Sequence, residues 1–101
     1  MVKKLNANGK AVYEFVLEHE EEGITSNDIA EATGIAKKSV DGIVTMTFCR
    51  NTVKGEDDEK ISVPLMERVP AEIEEADGSH SKVKFIKLTN EGRVIEIEDK
   101  D

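Results

Sequence analysis

Two adjacent lysines and a serine, Lys37, Lys38 and Ser39, are the residues of this sequence best suited to contact a nucleic acid. A lysine ammonium can reach a phosphate or the edge of a guanine, and a serine hydroxyl can donate a hydrogen bond to either. Cations at the amino terminus of a helix are mildly unfavourable, because the helix dipole is positive there. Two lysines at a predicted helix start therefore suggest a use other than helix stability.

Other polar residues could support the same contact. Ser26 and Asn27 begin the preceding predicted helix, where side-chain and backbone donors can bind a phosphate, although Ser26 would be present as a helix cap in any case. Thr45 lies on the outward face of the later helix, and lysines are spaced along a predicted strand near the carboxyl end. The candidate DNA-binding residues are Ser26, Asn27, Lys37, Lys38, Ser39, Thr45, Lys82 and Lys84.

The other reactive side chains form no catalytic or metal-binding pattern. Residues 56–59 read EDDE, a spacing that matches no calcium loop, so we expect a solvated run of charges. Cys49, His19 and His80 lack the spacing of zinc ligands. There is no phosphate-cradling glycine motif and no nucleophile elbow. We expect no enzymatic activity, no cofactor and no metal.

Composition narrows the class of protein further. The 101 residues suffice for a single domain, 1–101, and 38% of them are hydrophobic. The formal net charge of −8 makes this an acidic protein that repels DNA at long range, so DNA binding would have to come from a local patch. The single cysteine excludes an intramolecular disulfide. With no signal-peptide pattern and no long apolar run, we expect a cytoplasmic protein that does not enter a membrane.

The first predicted helix spans residues 6–22. Val12, Phe15, Val16 and His19 recur at helical spacing, an asparagine precedes the first turn as a cap, and Gly23 follows as a stop. Three glutamates close this helix at the negative end of its dipole, where carboxylates are unfavourable. We expect that end to fray or to be needed for a partner.

Two shorter helices are predicted over 26–33 and 36–50. Ser26 is expected to cap the first of them. Gly34 is expected to end that helix and to let the backbone turn sharply. In the second helix one apolar face is formed by Val40, Ile43, Val44 and Thr47. Two helices joined by a turn of three or four residues that contains glycine form a helix-turn-helix.

The carboxyl-terminal part is predicted to form a β-hairpin over 65–89. A polar insertion, residues 51–60, precedes it, and an Asp77-Gly78 turn joins its two strands. Pro70 restricts the first strand to an edge or a bulge. The tail, 90–101, could be a short helix capped by Thr89 or a short strand, and we favour the helix.

The spacing of these residues resembles a known family. Ile29, Ala30, Gly34, Ile35, Val40 and Ile43 are placed as in the helix-turn-helix of bacterial, archaeal and phage transcription regulators, and FIKLTNEGRVI resembles the strand and LTxxG segment of multiple-antibiotic-resistance-type regulators. The resemblance covers roughly residues 6–97. It implies an α+β winged helix-turn-helix: a three-helix core, a C-terminal β-hairpin wing and a short final helix or strand.

Two functions stay open at this point. The resemblance implies a small transcriptional regulator whose helix 36–50 enters the major groove of double-stranded DNA. The alternative is an acidic winged-helix module that mediates protein–protein interaction within a larger transcription or replication assembly. It is favoured by the net charge, by the acidic tip of the hairpin and by the EDDE run. A homodimer is also open, through the first helix or the tail.

Overall fold

The computed structural model describes residues 2–100 and shows a mixed α+β structure, so the Met1 and Asp101 ends of the predicted domain lie outside the described residues. In chain order the elements are β1 (Val2–Leu5), α1 (Ala7–His19), α2 (Ser26–Thr33), α3 (Lys37–Gly42), β2 (Thr52–Lys54), β3 (Lys60–Ser62), β4 (Met66–Glu74), β5 (His80–Leu88), α4 (Asn90–Val94) and β6 (Glu96–Asp99). A 3₁₀ turn, Glu20–Glu22, follows α1, and a π-helical segment, Ile43–Cys49, continues α3.

Helix α1 and its 3₁₀ turn occupy the span predicted for the first helix. The Asn6 side chain caps α1 by accepting a hydrogen bond of 2.8 Å from the Gly9 N–H. Gly23 ends the turn in the left-handed conformation, at φ 73°. The glutamate end does not fray, since the Glu20 carboxylate is buried and accepts from the Arg93 guanidinium at 2.7 Å.

Helices α2 and α3 are joined by a three-residue turn that starts at Gly34, which has φ 77°. The expectation that Ser26 caps α2 is wrong. Thr25 is the cap: it has an extended backbone, and it forms a reciprocal capping box with Asp28. Ser26 is the first residue of the helix itself, so its hydroxyl does not serve as the cap and is available for other contacts.

The second predicted helix, 36–50, is observed as α3 followed by the π-helical segment, from Lys37 to Cys49. Hydrogen bonds in a π-helix run from residue i to i+5, as in the 3.0 Å bond from the Arg50 N–H to the Thr45 carbonyl. This wider winding places Phe48, rather than the predicted Thr47, fully inside the core behind Val44.

The strands form three two-stranded sheets. Strands β4 and β5 pair antiparallel from Met66 opposite Leu88 to Glu74 opposite His80, and we call this pair the long hairpin. Gly78 has φ 87° in its turn. Pro70 is accommodated because each strand of a two-stranded sheet keeps one unpaired edge. The base of the long hairpin is buried and its tip is exposed.

Two segments without predicted structure are strands. The polar insertion contains β2, which pairs with β3 to form a short hairpin whose tip carries the EDDE run. The basic lead forms β1, which pairs in parallel with β6. The tail contains both the helix and the strand that were considered for it: Thr89 caps the short helix α4, and strand β6 follows.

The core gathers side chains from α1, α2, α3, the π-helical segment and the long hairpin. Its largest fully buried members are Phe48, Ile29, Leu65, Met66, Ile86, Leu88, Val12, Val16, Val40 and Val44. No helix in residues 2–100 is long and apolar enough to cross a membrane.

Candidate nucleic-acid interface

Four of the eight candidate residues line one cleft. The amino ends of α2 and α3 face the long hairpin across a space of about 770 Å³, which we call the helix–hairpin cleft. Its wall includes Ser26 and Asn27 from α2, Lys37 from α3, and Lys84 from β5. Residues separated by up to 58 positions in the sequence are thus brought to one surface by the packing of the hairpin against the helices.

The other four candidates lie outside this cleft. Lys38 and Ser39 are exposed on the first turn of α3. Thr45 is half-buried in the π-helical segment. Lys82 is exposed on β5 and shares with Lys84 a separate shallow groove of about 550 Å³ along the hairpin. The eight residues therefore form a neighbourhood around α3 and the hairpin, not a single pocket.

Asp41 largely satisfies the positive charges of the cleft from within the protein. Its carboxylate lies 3.1 Å from the Lys37 ammonium and 3.9 Å from the Arg68 guanidinium. A hydrogen bond from the Ser26 side chain, followed by the charges of Lys37 and Arg68, holds the pKa of Asp41 below its ordinary value of 3.8. A ligand phosphate would have to compete with this carboxylate for the same cations.

Arg68 is a cleft residue that the sequence interpretation missed. Its guanidinium donates to the Asp41 carbonyl at 3.4 Å and contacts the Cys49 sulfur at 3.8 Å. An arginine in a predicted strand gave only a weak indication, because strand pairing alone does not show that it reaches α3. Cys49 is half-buried against the core, and burial raises the pKa of its thiol.

The strand lysines differ in their cross-strand neighbours. Lys82 is paired with Glu72 and Lys87 with Glu67, whereas Lys84 is paired with Pro70. Opposite charges on facing residues attract each other, so Lys82 and Lys87 are partly compensated by their own hairpin. Within β4 and β5, Lys84 is the lysine without an acidic partner in register, and it is also the one that reaches the cleft.

Carboxylates outnumber cations along the wall of the helix–hairpin cleft. The cations are Lys37, Arg68 and Lys84, and the carboxylates are Glu22, Asp28, Asp41 and Glu75. Asp28 is engaged in the cap of α2, and Asp41 is engaged with two of the cations. The surface is therefore mixed in charge, with its exposed cations at the α3 end and on β5.

The described residues, 2–100, hold no group of three histidine, cysteine, aspartate or glutamate side chains that could bind a metal ion. His19 stacks on Phe15 with ring centroids 4.5 Å apart and contacts the carboxylate of Glu22. It lies at the edge of the core, as its place on the apolar stripe of α1 predicted.

Comparisons of the chain with protein-family models, with curated proteins and with solved structures found no match. The geometry and charges of the cleft are accordingly the basis for assigning a function.

Proposed function

We propose that this protein is a winged helix-turn-helix protein that binds double-stranded DNA and regulates transcription, with the long hairpin as its wing. The observation that supports this function is the convergence of Ser26, Asn27, Lys37 and Lys84 on one cleft. Donors at the start of two helices and a lysine on a neighbouring strand are suited to successive backbone phosphates.

In this proposal α3 and its π-helical continuation lie in the major groove. Lys38 and Ser39 are exposed on the first turn and would contact base edges or phosphates. Gly42 is also exposed, and a side chain at this position would meet no atom within 4 Å. The glycine is not required for packing inside the protein, which leaves a close approach of the DNA backbone as a reason for it.

A second candidate function is binding of another protein through the same surface. It is favoured by Asp41, which already pairs with Lys37 and Arg68, and by the additional carboxylates of the cleft wall. Such a mixed surface suits a partner that carries both signs of charge better than it suits a polyanion.

The test is a DNA titration of a charge-removing double variant, Lys37→Gln with Lys38→Gln. A generic duplex would be added at several salt concentrations while fluorescence anisotropy reports affinity. If both lysines contact phosphates, the negative slope of log affinity against log salt becomes shallower by about 0.9 for each lost contact. We expect the wild-type protein to bind at low salt and the variant to bind roughly tenfold more weakly or worse.

The matched control is Lys54→Gln with Lys60→Gln, which removes the same charge from an exposed cross-strand pair of the short hairpin. This control should retain the affinity and most of the salt slope of the wild type. Equal losses in the two double variants would show that net charge alone governs binding. Absence of wild-type binding at low salt would reject the DNA proposal and favour a protein partner.

A further inference from the structure

A small pocket lies on another side of the π-helical segment, between that segment, β1 and the start of α1. Its volume is about 240 Å³. Among residues 2–100, its lining includes the three lysines Lys3, Lys4 and Lys100 and no carboxylate. In a chain with a formal net charge of −8, such a local concentration of positive charge is unexpected. We call it the lysine pocket.

The pairing of β1 with β6 creates the lysine pocket. The Lys100 N–H donates to the Leu5 carbonyl at 2.9 Å, which places residue 100 beside Leu5, and the Lys100 side chain lines the same pocket as Lys3 and Lys4. Two carboxylates lie close in register: Glu98 is opposite Lys4 in the ladder and partly compensates its charge, and Asp99 is bonded to Lys10 at 3.0 Å. Among the described residues, no carboxylate lies within 4.0 Å of the three lysine ammonium groups.

Lys3 is the most constrained of the three cations. It is half-buried, and its ammonium donates to the side-chain oxygen of Asn51 at 2.7 Å, a neutral acceptor. Burial, followed by the positive charge of Lys100, lowers the pKa of Lys3. A bound anion would relieve both effects, because it would supply a counter-charge at this position.

The size and polarity of the lysine pocket select the class of anion. Sites for drug-sized ligands occupy about 300–1,000 Å³, so this smaller space suits a single tetrahedral oxyanion rather than a whole nucleotide. Asn6 and Thr47 add neutral polar groups to the wall. Lysine is a common binder of phosphate as a point charge.

We propose that the lysine pocket binds a phosphate group through Lys3, Lys4 and Lys100. The phosphate has two possible sources, a free phosphate or phosphate monoester and a backbone phosphate of bound DNA. The second source rests on the proposed function, because Ile43, Met46 and Thr47 connect the pocket to the helix that would enter the major groove. The first source does not depend on it.

The test is a titration of isotopically labelled protein with inorganic phosphate, at constant ionic strength held by sodium chloride. Saturable shifts are expected at the backbone amides of Lys3, Asn6, Gly9 and Thr47. The variant is Lys4→Gln with Lys100→Gln, two exposed residues whose replacement leaves the Lys3–Asn51 hydrogen bond in place. It should bind phosphate roughly tenfold more weakly, while the control Lys54→Gln with Lys60→Gln should bind as the wild type does.

Absence of saturable shifts at these amides, or equal loss of binding in both double variants, would overturn the proposal. A DNA titration then identifies the source. Shifts at the same amides on adding a duplex assign the pocket to a backbone phosphate, and their absence, with phosphate binding intact, assigns it to a free anion. The Lys37→Gln, Lys38→Gln variant should keep phosphate binding whether or not DNA binds, so failure of the two proposals can be told apart.

Discussion

At the scale of single residues, Glu20 shows how one carboxylate differs from its neighbours in sequence. Glu20, Glu21 and Glu22 are consecutive and chemically alike, but only Glu20 is buried. Its carboxylate accepts from the Leu88 N–H at 3.3 Å and from two nitrogens of Arg93, at 2.7 Å and 3.3 Å. It therefore connects the end of α1 to β5 and α4.

We expect Glu20→Ala to lower the free energy of unfolding by about 2 kcal/mol, because it leaves a buried N–H and a guanidinium without their acceptor. Glu21→Ala, one position later on the exposed side, is the control and should change stability by less than about 0.5 kcal/mol. Urea unfolding followed by circular dichroism measures both. Equal midpoints for the two variants would mean that the Glu20–Arg93 pair does not form in solution.

Little in the local sequence indicates this role. The dipole of α1 predicts only that three carboxylates at its carboxyl end are unfavourable and need compensation. The residue that compensates, Arg93, is 73 positions away. A hydrogen bond over that separation depends on how the chain folds back on itself, and local residue spacing does not predict such a contact.

At the scale of elements, the segment LTNEG is explained by the packing of α4. The Thr89 hydroxyl accepts from the Gly92 N–H at 3.1 Å and donates to the Pro64 carbonyl at 2.7 Å, so one side chain caps the helix and anchors it. The Gly92 carbonyl accepts from the Tyr13 hydroxyl at 2.7 Å. A Cβ on Gly92 would overlap the Leu65 carbonyl oxygen, so this position requires the absence of a side chain.

Two glycine-to-alanine variants should therefore have opposite effects. Gly92→Ala forces the backbone at Leu65 or α4 to move and should destabilise the protein by about 3 kcal/mol. Gly42→Ala has open space around it and a helical backbone, at φ −63°, and should stabilise by up to about 1 kcal/mol. Thermal unfolding compares them. Destabilisation by Gly42→Ala would show that its surroundings are more crowded than the structure indicates.

The helices were predictable from sequence to a greater extent than the strands. Apolar spacing and glycines located α1, α2 and the start of α3 to within a few residues, because helical contacts are local. The π-helical winding after Gly42 and the strands β1, β2 and β3 were not predicted, whereas β6 was one of the two alternatives considered for the tail. Each of these strands is three or four residues long, too short for an alternating pattern to stand out.

At the scale of the whole molecule, charge is distributed unevenly. The tip of the short hairpin carries the EDDE run, and the long hairpin carries glutamates along β4. Exposed lysines lie at the start of α3 and at the junction of β1 with β6, and others are exposed on the two hairpins, namely Lys54, Lys60, Lys82 and Lys84. In the proposed DNA complex, the acidic tip of the short hairpin would weaken long-range attraction, and none of its residues lines the helix–hairpin cleft.

Neutralising the EDDE run tests this long-range effect. The variant Glu56→Gln, Asp57→Asn, Asp58→Asn, Glu59→Gln halves the formal net charge of −8, and asparagine is well suited to the φ of 58° at position 58. We expect several-fold tighter DNA binding at low salt. The gain should vanish near 1 M salt, where the screening length is about 3 Å.

Anisotropy titrations of the wild type and this variant across a salt series measure the difference. Equal affinities at low salt would mean that the tip lies too far from the DNA for its charge to act. Weaker binding by the neutralised variant would contradict a repulsive role and implicate the acidic tip in the contact itself.

The sequence by itself determined the α+β composition, the three-residue glycine turn between α2 and α3, the long hairpin and its Asp77-Gly78 turn. These features depend on residues close to one another in the chain, such as caps, turn glycines and apolar periodicity. The tertiary structure decided that Asp41 and Arg68 share the cleft, that Glu20 meets Arg93, and that β1 and β6 bring three lysines together. Each of these pairings closes a loop of 27 residues or more, and only packing of the core selects which distant groups become neighbours.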